Sequence, residues 1–162
     1  MDRRLAVPLA VVVCVVLTVF VAGLVAGLPS ERVLVVSDAS TGEHLLTVPV
    51  EEGAPVTLAY THSVERTPVE DRYVVRGSAL DNVEMRFQSY GWGLPADANV
   101  TTRDGWFVFD PDRTYERVVV SPGEIAGHEL RVDGTTYDLV ALSSGRSVRL
   151  SVERRSVLPR LS

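Results

Sequence analysis

The stretch PVTLAYTHSVERTPVEDRYVVRGSALDNVEMRFQS, residues 55–89, decides the fold. It alternates apolar and polar side chains with a period of two. Leu58, Tyr60, His62 and Val64 fall on one face of a strand over Pro55–Val64, and Thr57, Ala59, Thr61, Ser63 and Glu65 on the other. A break at Thr67-Pro68 leads to Val69–Arg76, where Val69, Asp71, Tyr73 and Val75 share a face. Gly77-Ser78 separates that strand from Leu80–Ser89, which is expected to return antiparallel to it.

The same reading extends outward in both directions. Upstream, Arg32–Ser37 and His44–Val50 read as strands joined by the turn 38–42. Downstream, Tyr90 to Ala98 is loop-like, and Asp104-Gly105 introduces the aromatic strand Trp106–Phe109. Further strands are expected at Tyr115–Val120, His128–Val132, Thr136–Leu142 and Arg146–Val152, with Asp133-Gly134 as a type I′ hairpin turn. No segment after residue 30 keeps a 3.6-residue apolar period over three turns. The expectation is a mainly β domain, a small antiparallel sandwich or partly closed barrel. It spans residues 31–152, with 153–162 as a C-terminal tail.

Ahead of this domain, the 24 residues from Leu5 to Leu28 carry no formal charge. As a helix they would reach roughly 36 Å, enough for a hydrocarbon core of about 30 Å. Residues 1–30 therefore read as one N-terminal transmembrane helix, a membrane anchor or uncleaved signal. A cleaved secretory signal is the alternative, with Arg3 and Arg4 as its basic end, although the apolar run is longer than such signals need. Either way the basic pair favours a cytoplasmic N-terminus. The expected protein is a single-pass protein of the cell membrane whose C-terminal domain is extracytoplasmic.

Charge and cysteine usage narrow the classes further. All 16 basic residues are arginine against 21 acidic ones, for a net charge of −5. The arginines are scattered among acidic residues with no basic patch, which argues against nucleic acid as a partner. Cys14, the one cysteine, lies in the apolar run, so the domain must rest on its core without an internal disulfide.

Two segments carry more than periodicity. They are Tyr60-Thr61-His62-Ser63-Val64-Glu65-Arg66-Thr67-Pro68-Val69-Glu70 and Arg86-Phe87-Gln88-Ser89-Tyr90-Gly91-Trp92-Gly93-Leu94-Pro95. With Asp104-Gly105-Trp106-Phe107-Val108 they resemble the family called domain of unknown function 1850, over roughly residues 32 to 142. The sequence departs from the family pattern at Trp92, where a small residue is commoner. The resemblance implies association with TAXI-type TRAP transporters, which take up organic solutes on an ion gradient. It implies transporter membrane or solute-binding subunits as partners, and it supplies no catalytic or binding residue to carry over.

The residues themselves suggest a polar-aromatic surface made where the two motifs meet: His62, Glu65, Arg66, Glu70, Arg86, Gln88, Tyr90 and Trp92. Arginine in such a surface suits a small organic anion better than a metal ion. The bland reading is a hydrogen-bond network that fastens strands, with Glu65 or Glu70 paired to Arg66, Arg72 or Arg86. A His62/Glu65/Glu70 metal site would need a bend, because His62 and Glu65 face apart on a continuous strand. Ser63 beside His62 lacks a nucleophile elbow, and no Walker, dinucleotide or paired-cysteine motif is present. No cofactor is implied. The expected role is a membrane-anchored accessory or ligand-handling protein. The alternatives are a structural or interaction module of the cell surface and, less favoured, a hydrolase or metal-binding enzyme.

Overall fold

The computed structural model describes residues 30–89 and 99–156. The expected membrane segment 5–28, with Cys14, lies outside the described residues, as do Tyr90, Trp92 and the end of the tail. Among the described residues no helix is long and apolar enough to cross a membrane. One compact unit runs from Arg32 to Arg154. Of the other unit, Met1–Glu31 with Arg155–Ser162, only Ser30, Glu31, Arg155 and Ser156 are described, as strand ends.

Among the described residues, twelve strands and one short helix follow in order: β1 Ser30–Asp38, β2 His44–Pro49, β3 Pro55–Thr61, β4 Pro68–Arg76, β5 Ala79–Phe87 and β6 Thr101–Arg103. Then come β7 Trp106–Phe109, β8 Arg113–Tyr115, β9 Arg117–Val120, β10 Glu129–Val132, β11 Thr135–Asp138, helix α1 Leu139–Ser143 and β12 Val148–Ser156. A smaller sheet has the order β2-β1-β12-β9; a larger one has β11-β10-β3-β4-β5-β7-β6, with β8 also on β5. The pairings within the larger sheet are antiparallel, and neither sheet closes into a barrel.

The two sheets share one apolar core. Leu34 and Val36 of β1, Val120 of β9, and Val148, Leu150 and Val152 of β12 meet Val56, Leu58, Tyr73, Val75, Leu80, Leu130 and Val132 of the larger sheet. Burying a Val or Leu side chain contributes about 1.5–3 kcal/mol before conformational entropy is counted. This is how a chain with no internal disulfide holds together. The run Val33-Leu34-Val35-Val36 does not alternate: all four residues are buried, so both faces of β1 are shielded from water.

Turn chemistry sets the register. Asp104 and Gly105 have φ of 51° and 78°, and Asp133 and Gly134 have 49° and 79°. Positive φ at both central positions is the type I′ geometry that matches strand twist, so both two-residue turns close hairpins, β6–β7 and β10–β11. The β4–β5 pairing is antiparallel as the sequence indicates, with Glu70 opposite Arg86 and Val69 opposite Phe87. The register shifts between Arg72 and Tyr73: Arg72 faces Glu84 and Tyr73 faces Asn82, so Val83 is an extra residue and stands 43 % exposed.

Four segments differ from the sequence reading. Strand β3 stops at Thr61, not Val64, because the chain already turns at His62. The Tyr115–Val120 segment is two strands: β8 pairs with β5 in the larger sheet, and β9 pairs with β12 in the smaller one. Thr136–Leu142 is not one strand. Asp138 ends β11 and its carboxylate accepts the amides of Val140 (2.8 Å) and Ala141 (3.0 Å), starting the five-residue helix α1. Finally, β12 continues to Ser156, into the segment read as a tail.

Candidate functional site

Strand directions bring several connections to one end of the larger sheet. Thr61 at the end of β3 pairs with Pro68 at the start of β4, and Phe87 at the end of β5 pairs with Val69. Phe107 lies opposite Phe87, so the Asp104-Gly105 turn is at this end too. Glu129 opens β10 opposite Ala59, and the preceding loop is tied here by Thr61 N–H donating to the Ala126 carbonyl (2.7 Å).

The 62–67 loop is built on its own backbone. His62 N–H donates to the Thr67 carbonyl (2.8 Å), Arg66 N–H to the His62 carbonyl (2.9 Å), and Glu65 N–H to His62 Nδ1 (3.2 Å). Arg66 takes a left-handed conformation, φ 57°, to complete the reversal. This is the bend that a convergence of His62 and Glu65 requires. It turns Ser63, Val64, Glu65 and Arg66 out to solvent, with Val64 69 % exposed. The Ser89 hydroxyl donates to Glu65 Oε2 at 3.5 Å, so the two sequence motifs do meet. Gln88 is exposed beside Ser89.

Glu70 and Arg86 play another part. They sit on the sheet face turned away from the shared core, and Glu70 is only 8 % exposed. Arg86 Nε donates to Glu70 Oε2 (2.8 Å) and its Nη2 lies 2.6 Å from the same oxygen. From the other side, Arg131 Nη1 donates to Glu70 Oε1 (3.0 Å), reaching across β3 at Ala59, and its Nη2 donates to Glu129 (2.9 Å). Ala59 is small enough to lie beneath this bridge and is itself buried. The Arg86 guanidinium also stands 4.7 Å over the Trp106 ring, a cation–π contact. Hydrogen bonding to Glu129, and then the charge of Glu70, raise the pKa of Arg131. Glu70 and Arg86 are thus mutually engaged in a bridge across β10, β3, β4 and β5, while His62, Glu65, Arg66 and Gln88 stand at the exposed sheet end.

The core-facing side of the same strands holds a polar group that the candidate surface omitted. Asp71 is half-buried opposite Leu58 and Met85. Burial pushes its carboxyl up to about 6, against hydrogen bonds with Asn82 and Tyr60 that pull it down. Burial, and then the charge of Asp71, push the Tyr60 and Tyr73 hydroxyls above their ordinary value. Tyr60 stacks on His128 with centroids 5.0 Å apart, and Tyr73 meets Tyr115 edge-on at 6.3 Å. Burial lowers the pKa of His128, whose Nδ1 accepts Gly123 N–H at 3.4 Å. The sequence does carry a signal for this cluster: Asp71 interrupts the otherwise apolar row Val69, Tyr73, Val75.

Among the described residues, no three His, Cys, Asp or Glu side chains are grouped to hold a metal ion. What the exposed end offers is recognition chemistry: an imidazole, a carboxylate, a guanidinium and an amide on loops held by a rigid sheet. A family model described as "Domain of unknown function (DUF1850)" matches residues 56–139. The match takes in β3 through β11, both quoted motifs and the whole larger sheet, and leaves out β1, β2 and β12. No curated protein and no solved structure matches the chain.

Proposed function

The chain belongs to the DUF1850 family, and on that premise we propose that it is a membrane-anchored accessory or ligand-handling protein of a TAXI-type TRAP solute transporter, its β domain outside the cytoplasm. The charge-free run Leu5–Leu28 behind Arg3 and Arg4 supports the anchor and the orientation. The transporter link rests on the resemblance of the two motifs to that family.

The observation that carries the reading is the meeting of Glu65 and Ser89 at the loop end of the larger sheet. It gathers exposed polar residues of both motifs on one surface. Val64 and Ile125, 69 % and 65 % exposed, stand on the two loops of that end, 62–67 and 121–128. Exposed apolar side chains amid polar ones suit contact with a protein partner, here a transporter subunit. A purely structural cell-surface module would use the same exposed end, so the test must read transport. Deleting the gene should slow solute uptake, and a copy with a wild-type domain should restore it. Unchanged uptake in the deletion strain would remove the accessory reading.

A further inference from the structure

On the other sheet, an open groove of about 490 Å³ is lined by Glu116, Arg117, Arg149 and Glu153, with the hydroxyl residues Ser37 and Ser151. Its location follows from register. Ser151 lies opposite Arg117 and Arg149 opposite Val119, so Arg149, Ser151 and Glu153 of β12 share one face with Arg117 of β9. The alternate residues Val148, Leu150 and Val152 belong to the shared core. Ser37 of β1 is 6 % exposed and still borders the groove.

Both signs of charge line this groove without pairing across it. Elsewhere among the described residues some arginines and carboxylates pair, Arg32 with Glu52, Arg72 and Arg103 with Glu84, Arg76 with Asp81, Arg86 and Arg131 with Glu70, Arg131 with Glu129, and Arg146 with Asp38, while other exposed charges such as Arg113 and Glu124 do not. None of Glu116, Arg117, Arg149 and Glu153 is in an ion pair among these residues, although both signs line one groove. The Arg149 guanidinium is instead fixed by donating to the Ala39 carbonyl (3.0 Å). Among the described residues Glu153 receives only the Ser151 hydroxyl, at 3.5 Å.

We propose that this groove binds a small zwitterion, a molecule with both a carboxylate and an ammonium, of the α-amino-acid or short-peptide kind. A guanidinium fork suits a carboxylate, and a carboxylate accepts the three hydrogens of an ammonium. A ligand of one sign would gain from one pair of side chains and be repelled by the other. The two-signed ligand satisfies both, and the serine hydroxyls complete its hydrogen bonding. Ser78, in the β4–β5 turn, also borders the groove, which includes no residue of the 62–67 loop or of Gln88-Ser89, and binding by the purified protein does not depend on the transporter reading.

The test uses the full-length protein in detergent, with L-alanine and alanyl-alanine as probes and acetate and ethylamine as single-charge controls. Binding to the folded state raises the melting temperature. At millimolar concentration the zwitterions should raise it and the two controls should not. Arg117→Gln and Glu153→Gln should each weaken zwitterion binding by about tenfold or more, while melting without ligand stays near wild type. Equal stabilisation by acetate would make this a simple anion site and overturn the proposal. So would equal stabilisation by ethylamine, no response to either zwitterion, or full binding by both variants.

Discussion

Glu70 and Arg86, directly opposite on β4 and β5, close to 2.6 Å on the outer face of the larger sheet, and Arg131 approaches the same carboxylate from the far side of β3 at 3.0 Å. One carboxylate therefore ties strands that do not touch. With Glu70 largely buried and the arginines partly exposed, the bridge sits between the surface and interior regimes of ion-pair energetics.

Glu70→Ala should accordingly destabilise the domain by about 1–3 kcal/mol, because it leaves two guanidinium groups beside a partly desolvated gap. Glu65→Gln, on the exposed loop, should change stability by less than about 0.5 kcal/mol. Chemical denaturation of both variants checks this. Equal losses would place Glu65 in the structural network as well.

Asp71 sets a pH dependence. Its folded pKa of about 6 lies above the ordinary 3.8, so the folded state holds the proton more tightly than the unfolded chain. Stability from this group is present below pH 4 and is lost as pH rises through 6. Asp71→Asn should therefore stabilise the domain at pH 7, by about 1–3 kcal/mol, and leave it nearly unchanged at pH 4. Melting curves at the two pH values decide it; a variant less stable than wild type at pH 7 contradicts the assignment.

Asp38 works with the opposite sign. Its carboxylate, fully buried, accepts the Ser40 hydroxyl (2.6 Å) and the amides of Thr41 (2.9 Å) and Ser40 (2.8 Å), and pairs with Arg146 (2.8 Å). The Ser40 hydroxyl first, then these amides and Arg146, hold its pKa well below the usual carboxylate range. Its stabilisation is present above the ordinary 3.8 and is lost on further acidification. Asp38→Ala should lower the melting temperature at pH 7 by several degrees, and that deficit should shrink as pH falls well below 3.8. A constant deficit would mean the turn owes little to the charge.

The mainly β class, the antiparallel return of β5 on β4, the turn at Asp104-Gly105 and the type I′ turn at Asp133-Gly134 were legible because they depend on local rules: period-two alternation and Asp-Gly at the turns. The failures have equally local causes. Val64 continues the alternation of Leu58 and Tyr60 on paper, yet the backbone bonds of His62 to Thr67 and Arg66 reverse the chain first. Helix α1 is too short for a helical period to register, and only Asp138 as its cap announces it. The change of sheet at Glu116, between β8 and β9, leaves no mark in an apolar pattern that both sheets share. Of the candidate surface, the meeting of the two motifs followed from antiparallel return. The pairing of Arg86 with Glu70 was among those the strand-fastening reading offered, but the further contacts with Trp106 and Arg131 depend on side chains from other strands, and the sequence does not show them. Asp71 was visible as a charge in an apolar row, but its burial beside Tyr60 and Asn82 depends on the β4–β5 bulge and on β3.

The orientation of the chain is tested in right-side-out vesicles. Protease added outside should remove a C-terminal tag, since the apolar run follows Arg3 and Arg4. Complete protection of the tag would place the domain inside.

The central claim is contact with the transporter through the loop end of the larger sheet, and co-purification from a mild detergent at native salt tests it most directly. Wild-type protein should retain a TRAP membrane or solute-binding subunit, and Val64→Asp with Ile125→Asp should lose most of it while melting like wild type, since both side chains are exposed. Absence of any transporter subunit from the wild-type preparation, or equal recovery with the double variant, would contradict the account.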